Sequence, residues 1–195
     1  MTRSRLIAAV LSAAALTACG TPPPASPVPQ AAPTTTTTAD VPGADPAAWF
    51  DAYCGPMGVT EIARVAIGAD GARGAEAMKA AAVRWASTAA ASDRKMADDL
   101  EKVGAMSSDV QNLHDRLVKS LRLEATGWDD VAGRLQGLAA DAKFPERFQQ
   151  VTATRGGNSD GVAALFEQIV KIPAYTEAFR ANKVCSGWQE LARGN

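Results

Sequence analysis

Two stretches of this chain repeat apolar residues at steps of three and four over about thirty positions each. In the first, about Ala75 to Val103, the repeat runs through Met78, Trp85, Ala89, Met96, Leu100 and Val103. The second starts near Ser107 or Ser108 and runs to about Ala140, through Val110, Leu113, Leu117, Leu121, Ala125, Trp128, Val131, Leu135 and Leu138. A period near 3.6 places each set on one side of a helix, so both segments must bury a stripe against something else. Gly127, Gly133 and Gly137 weaken the second half of the longer one.

Shorter helical segments flank this pair. Asp45 before Pro46 reads as an N-cap followed by proline at the first helical position, and Trp49 and Tyr53 share a face. After Gly55 and Pro56 a second set continues through Val59, Ile62 and Val65 to the break at "GADGARG". Beyond the long pair, "KFPERFQQVTATRGGNSDG" is rich in turn residues, with one helical turn expected after Pro145. Asp160 can cap a helix carrying Val162, Leu165, Phe166 and Ile169, and Pro173 ends or kinks it. A last helix carries Tyr175, Phe179, Val184, Trp188 and Leu191. No run alternates as a strand does. The expectation is an all-α domain over residues 45–195, an antiparallel four-helix-type bundle with its first and last helices broken.

Ahead of this domain, Gly20 to Ala44 reads "GTPPPASPVPQAAPTTTTTADVPGA". Large apolar residues are nearly missing, and such a segment cannot bury enough surface to offset its ordering entropy. With PPII geometry favoured by its prolines, Gly20 to Ala44 is expected to be a disordered Pro/Thr linker reaching at most about 78 Å. Thr34 to Thr38 also suit O-glycosylation, as in other Thr/Pro-rich stalks.

The chain starts "MTRSRLIAAVLSAAALTAC". Arg3 and Arg5 are followed by an apolar run, Leu6 to Leu16, which has signal-peptide length and is too short to cross a bilayer comfortably. Leu16 stands three positions before Cys19 with small residues between them, and "LTAC" resembles the lipobox of bacterial lipoprotein precursors. The resemblance implies a signal peptide over 1–18 and lipidation of the Cys19 thiol, so that 19–44 comprises the lipidated cysteine and the linker. It also implies a mature chain starting at Cys19, held on the outer side of the cell membrane by a diacylglycerol. The alanine-rich composition and the stalk resemble small envelope lipoproteins of high-GC Gram-positive bacteria.

With Cys19 lipidated, an exported domain retains two of its three cysteines, Cys54 in the first helix and Cys185 in the last. Outside the cytoplasm such a pair is usually a disulfide. The alternative is two buried free thiols; metal binding lacks further Cys or His ligands at a suitable spacing.

Chemistry-bearing motifs are scarce. His114 is the single histidine, which excludes paired Glu-x-x-His metal motifs, and "NLHDRL" reads as a solvated mid-helix position. G-x-S-x-G, H-E-x-x-H and phosphate-cradling glycine loops are all missing. "DRKMADDLEK" reads as a solvated helix face with Asp98 and Lys102 four apart, and "TRGGNSDG" as a flexible connection. A net charge of −1 with interleaved signs offers no nucleic-acid stripe. No cofactor or catalytic group is implied. The expected function is therefore a non-catalytic display or binding module of the cell envelope, meeting another envelope protein. The alternative is a carrier of an apolar ligand lined by Trp85, Met96 and Trp128, and an enzyme ranks third.

Overall fold

The computed structural model describes residues 43–157 and 159–187, without the side chains of Ser159 and Asp160. The expected signal peptide (1–18), Cys19, the linker through residue 42, and Trp188 and Leu191 lie outside the described residues. Those described form seven α-helices and no strand: α1 Pro46–Cys54, α2 Met57–Gly71, α3 Ala75–Val103, α4 Gln111–Gly137, α5 Phe144–Ala153, α6 Ser159–Val170 and α7 Pro173–Ala181. None of these helices is long and apolar enough to cross a membrane.

Helix α3 spans the residues that its apolar period predicts. Helix α4 is entered through a 3-10 turn, Ser108–Val110, and ends at Gly137, three residues short of the expected Ala140. Asp45 caps α1 as expected, its carboxylate accepting the Ala48 N–H at 3.2 Å, with Pro46 at the first position. Ala44 does more than the linker composition predicts. Its N–H donates to the Ala105 carbonyl at 2.9 Å, so the packed chain already includes residues assigned to the spacer.

Long helices α3 and α4 form an antiparallel hairpin, and the remaining helices pack on it: α2 against α3, α6 against α4, α1 between α3 and α7. The apolar residues divide into two clusters along this hairpin. One joins Trp49, Phe50 and Tyr53 of α1 to Met96 and Leu100 of α3, Leu117 and Leu121 of α4, Ile169 of α6 and Phe179 of α7. The other joins Ile67 of α2 to Ala81, Ala82 and Ala86 of α3, Val131 and Leu135 of α4, and Phe144 and Val151 of α5. Alanines dominate the α3 side of the second cluster, because small side chains let α2 and α4 approach the same helix from two sides.

Three local expectations change. Helix α5 has ten residues, where composition predicts one turn, because Phe144 is fully buried and Val151 nearly so. Helix α6 starts at Ser159, which puts Asp160 inside its first turn instead of at the cap. The last helix breaks at Asn182, whose side-chain oxygen accepts the Val184 and Cys185 N–H groups at 3.1 and 3.0 Å and so caps a further helical segment, 183–187.

Candidate binding cleft and buried polar layer

Helix α1 ends at Cys54, and Gly55 and Pro56, both with right-handed helical backbone angles, lead into α2. Beside that turn, an open cleft of about 730 Å³ lies against α3. Its floor is the small-residue face of α3, Ser87, Thr88 and Ala91, with Val59 and Val83 as apolar walls. The Ser92 hydroxyl donates to the Pro56 carbonyl at 2.7 Å and pins the turn to the helix. The charges at the rim already have partners: Arg84 with Asp70 at 2.8 Å, Lys95 with Asp99 at 2.5 Å, and Asp51 with the Asn182 amide at 2.6 Å. Beside the cleft, α2 exposes Val59, Ile62 and Val65 by 55%, 73% and 61%. The arrangement suits apolar contact, since Arg84, Lys95 and Asp99 at the rim are ion-paired and Asp51 is engaged by the Asn182 amide.

Cys54 and Cys185 are joined in a disulfide with a Cα–Cα distance of 5.3 Å. The bond ties the end of α1 to segment 183–187, across a sequence separation of 131. Both cysteines are buried in the first apolar cluster with Trp49 and Tyr53.

The sequence reading of His114 requires correction. It is a buried residue, 4% exposed, and its Nδ1 accepts the Trp49 indole N–H at 3.1 Å. Burial holds its pKa below the ordinary value, with Asp115 and Glu101 acting in the opposite sense. An Nδ1 that accepts cannot carry a proton, so the neutral ring holds its proton on Nε2.

The three residues expected to line a ligand site are separated. Trp85 and Trp128 meet edge to face, with ring centroids 4.7 Å apart, and both pack on the second cluster. Met96 lies in the first cluster. None of the three lines the α1–α2–α3 cleft.

Between the two clusters runs a layer the sequence reading did not find. Asp93 of α3 and Glu124 of α4 are buried there. Glu124 is ion-paired to Arg155, whose guanidinium also lies 4.1 Å over the Trp128 ring. "TRGGNSDG" is thus held to the hairpin through Arg155, and that side chain is committed to a carboxylate instead of offered to an anion. Glycines make the approach possible. A Cβ on Gly127 would sit 2.3 Å from the Gly156 carbonyl oxygen, and Gly157 has φ +113 with its open side against Glu124.

Asp93 Oδ2 is buried with no hydrogen-bond partner among the described residues. Desolvation, then the nearby Glu124 charge, pushes the Asp93 pKa up to about 7, against the opposing pull of Arg155 and Arg94. Tyr53 faces the same layer; burial first, and the Asp93 charge second, hold its hydroxyl well above the ordinary phenol range. A signal for both acids was present. Asp93 falls on the stripe between Ala89 and Met96, and Glu124 between Leu121 and Trp128, so each interrupts an apolar face. Asp98 does lie on the solvated face, but it pairs with Arg122 of α4 at 3.1 Å, leaving Lys102 to Asp99.

Among the described residues no group of three or more His, Cys, Asp or Glu side chains is arranged to hold a metal ion. No family model matches the chain, and no curated protein or solved structure is significantly similar to it.

Proposed function

We propose that the protein is a lipid-anchored lipoprotein of the cell envelope. Cys19 carries the anchor, and a non-catalytic helical module held outside the membrane on the Pro/Thr stalk contacts its partner through the α1–α2–α3 cleft. The cysteine pattern carries this reading. Two of the three cysteines are bonded to each other, as suits an oxidising compartment, and the third closes "LTAC" after a basic and apolar leader. The helical body is read as a four-helix-type bundle. In it α3 and α4 are the unbroken members, and α1 with α2 and α6 with α7 are the broken ones. Support for a non-catalytic role comes from His114, which is tied to Trp49, and from Asp93 and Glu124, which line no part of the cleft.

The anchor is tested by metabolic labelling with a tagged fatty acid. Wild type is expected to be labelled and retained in the membrane fraction, and Cys19→Ala to be unlabelled and released. Equal labelling of the two overturns the anchor.

A carrier of an apolar ligand is the second reading, favoured by the volume and apolar walls of the cleft. An uncharged dye that fluoresces in apolar surroundings is expected to bind the folded domain, and Ala91→Trp, which fills the floor, to weaken it by about tenfold or more. A bulky side chain there removes the contact surface of a small ligand worth about 1–3 kcal/mol. Unchanged dye binding removes the cleft from consideration as a ligand site.

A further inference from the structure

Helix α1 and segment 183–187 run side by side in one direction. The Asn182 amide donates to Asp51 at 2.6 Å and Cys185 is bonded to Cys54, and each of these pairs is 131 residues apart. Two contacts at one offset, a turn apart, define a parallel register. Asp51, Gly55 and Val59 stand at steps of four, and Gly55 and Pro56 keep right-handed helical angles, so a single face passes from α1 into α2. These three residues line the α1–α2 side of the cleft. Segment 183–187 therefore leads along that wall. Continued at the same offset of 131, position 188 falls level with Met57 and position 190 with Val59.

Residues 188–195, "WQELARGN", follow directly and lie outside the described residues. Trp188 and Leu191 stand four and seven positions after Val184, which is exposed, and this is the spacing of an apolar stripe. The cleft offers that stripe a surface, with Val59, Val83 and Ala91 in its lining. Ser92, which holds the Pro56 carbonyl, stands about 14 Å along α3 from Val83 at 1.5 Å per residue. Eight residues span about 12 Å as a helix and at most about 28 Å extended, so an extended segment reaches the far wall and a helical one most of the way.

We propose that Trp188 and Leu191 dock in the Ser92–Val83 half of the α1–α2–α3 cleft, and that residues 188–195 are an intramolecular cover which any other occupant must displace. The displacement rests on the cleft as the contact surface proposed above; the docking does not. The disulfide holds Cys185 at the edge of the cleft, so the docking segment arrives on a short tether at an effective concentration of about millimolar. Trp188 is the main anchor, because a tryptophan buries about 150–250 Å². A cover in place nine-tenths of the time weakens a competing ligand about tenfold.

NMR of the folded, oxidised protein tests the docking. NOEs are expected between the Trp188 indole and the methyl groups of Val59 and Val83, and these methyl signals are expected to shift in Trp188→Ala. No such NOEs in wild type, or methyl signals that Trp188→Ala leaves in place, overturn the docking. NOEs that fade on dilution put the segment in the cleft of a second copy and overturn an intramolecular cover. The uncharged dye reads the competition. The variant Trp188→Ala/Leu191→Ala is expected to bind it about tenfold more tightly than wild type does. Equal affinities overturn the cover. Should neither protein bind the dye, the carrier reading of the cleft falls and the NOEs decide the docking, their presence supporting it and their absence overturning it.

Discussion

Replacing Cys54 and Cys185 with serine is expected to destabilise the helical body by about 5 kcal/mol in the loop-entropy description, one of the largest effects available at any pair of positions. The bond closes a loop spanning a sequence separation of 131, so its removal frees nearly the whole folded chain in the unfolded state. The anchored elements magnify the effect. Helix α1 has nine residues, too few to hold its place by helix propensity. Denaturant unfolding of oxidised protein, reduced protein and the double serine variant measures the change, with reduced and serine forms expected to agree. A loss below about 1 kcal/mol would show that α1 is held by its buried aromatic rings alone. Under the proposed anchor at Cys19, membrane attachment is expected to survive the substitution.

Trp49→Ala is expected to cost about 4 kcal/mol, in the range for truncating a fully buried tryptophan. Trp49 is 0% exposed, meets Phe50 edge to face at 5.2 Å and stacks near Tyr53 at 6.0 Å. Its indole N–H is also the donor to His114 Nδ1. Trp49→Phe retains much of the ring and loses the donor, so the difference between the two variants separates packing from the hydrogen bond. The same contact carries a pH dependence. The His114 pKa is lowered on folding, so the unfolded chain takes up the proton first. The stability from a neutral His114 is complete above about pH 6.5 and is lost as pH falls towards the lowered folded value. Asp93 acts in the opposite sense across pH 4–7, so the His114 contribution has to be read as a difference. Unfolding free energies of wild type and His114→Leu are expected to converge as pH drops from 7.5 to 5. At neutral pH the variant leaves the Trp49 donor buried and unpaired, at a cost of about 1–3 kcal/mol. Parallel curves across that range would show that His114 does not titrate differently in the two states.

The long helices were legible because their apolar residues repeat over many turns, with Asp93 and Glu124 as interruptions too few to break the period. Ala75–Val103 needed no tertiary information, and the Asp45–Pro46 start of α1 was equally local, being a cap and a fixed φ in adjacent residues. Helix α5 was not legible. Its ten residues have weak helical credentials, and it forms because Phe144 and Val151 find a cluster made by α2, α3 and α4. His114 shows the same limit from the other side. Asp115 and Arg116 follow it in sequence, but its place on α4 turns it towards Trp49, 65 residues away. The cleft was invisible for a related reason: its small floor residues mark no site until the α1–α2 turn lies beside them.

What the sequence by itself determined was the helical class and the pairing of Cys54 with Cys185. Each follows from local periodicity, composition or counting. Only the tertiary structure decided which polar residues lie inside. Asp93 and Asp98 sit five residues apart on one helix, one buried between two clusters and the other at the surface. Helix propensity treats them alike. The difference arises because α4 packs along one face of α3 and leaves the other to solvent, and the free energy of a carboxylate depends on what replaces its water.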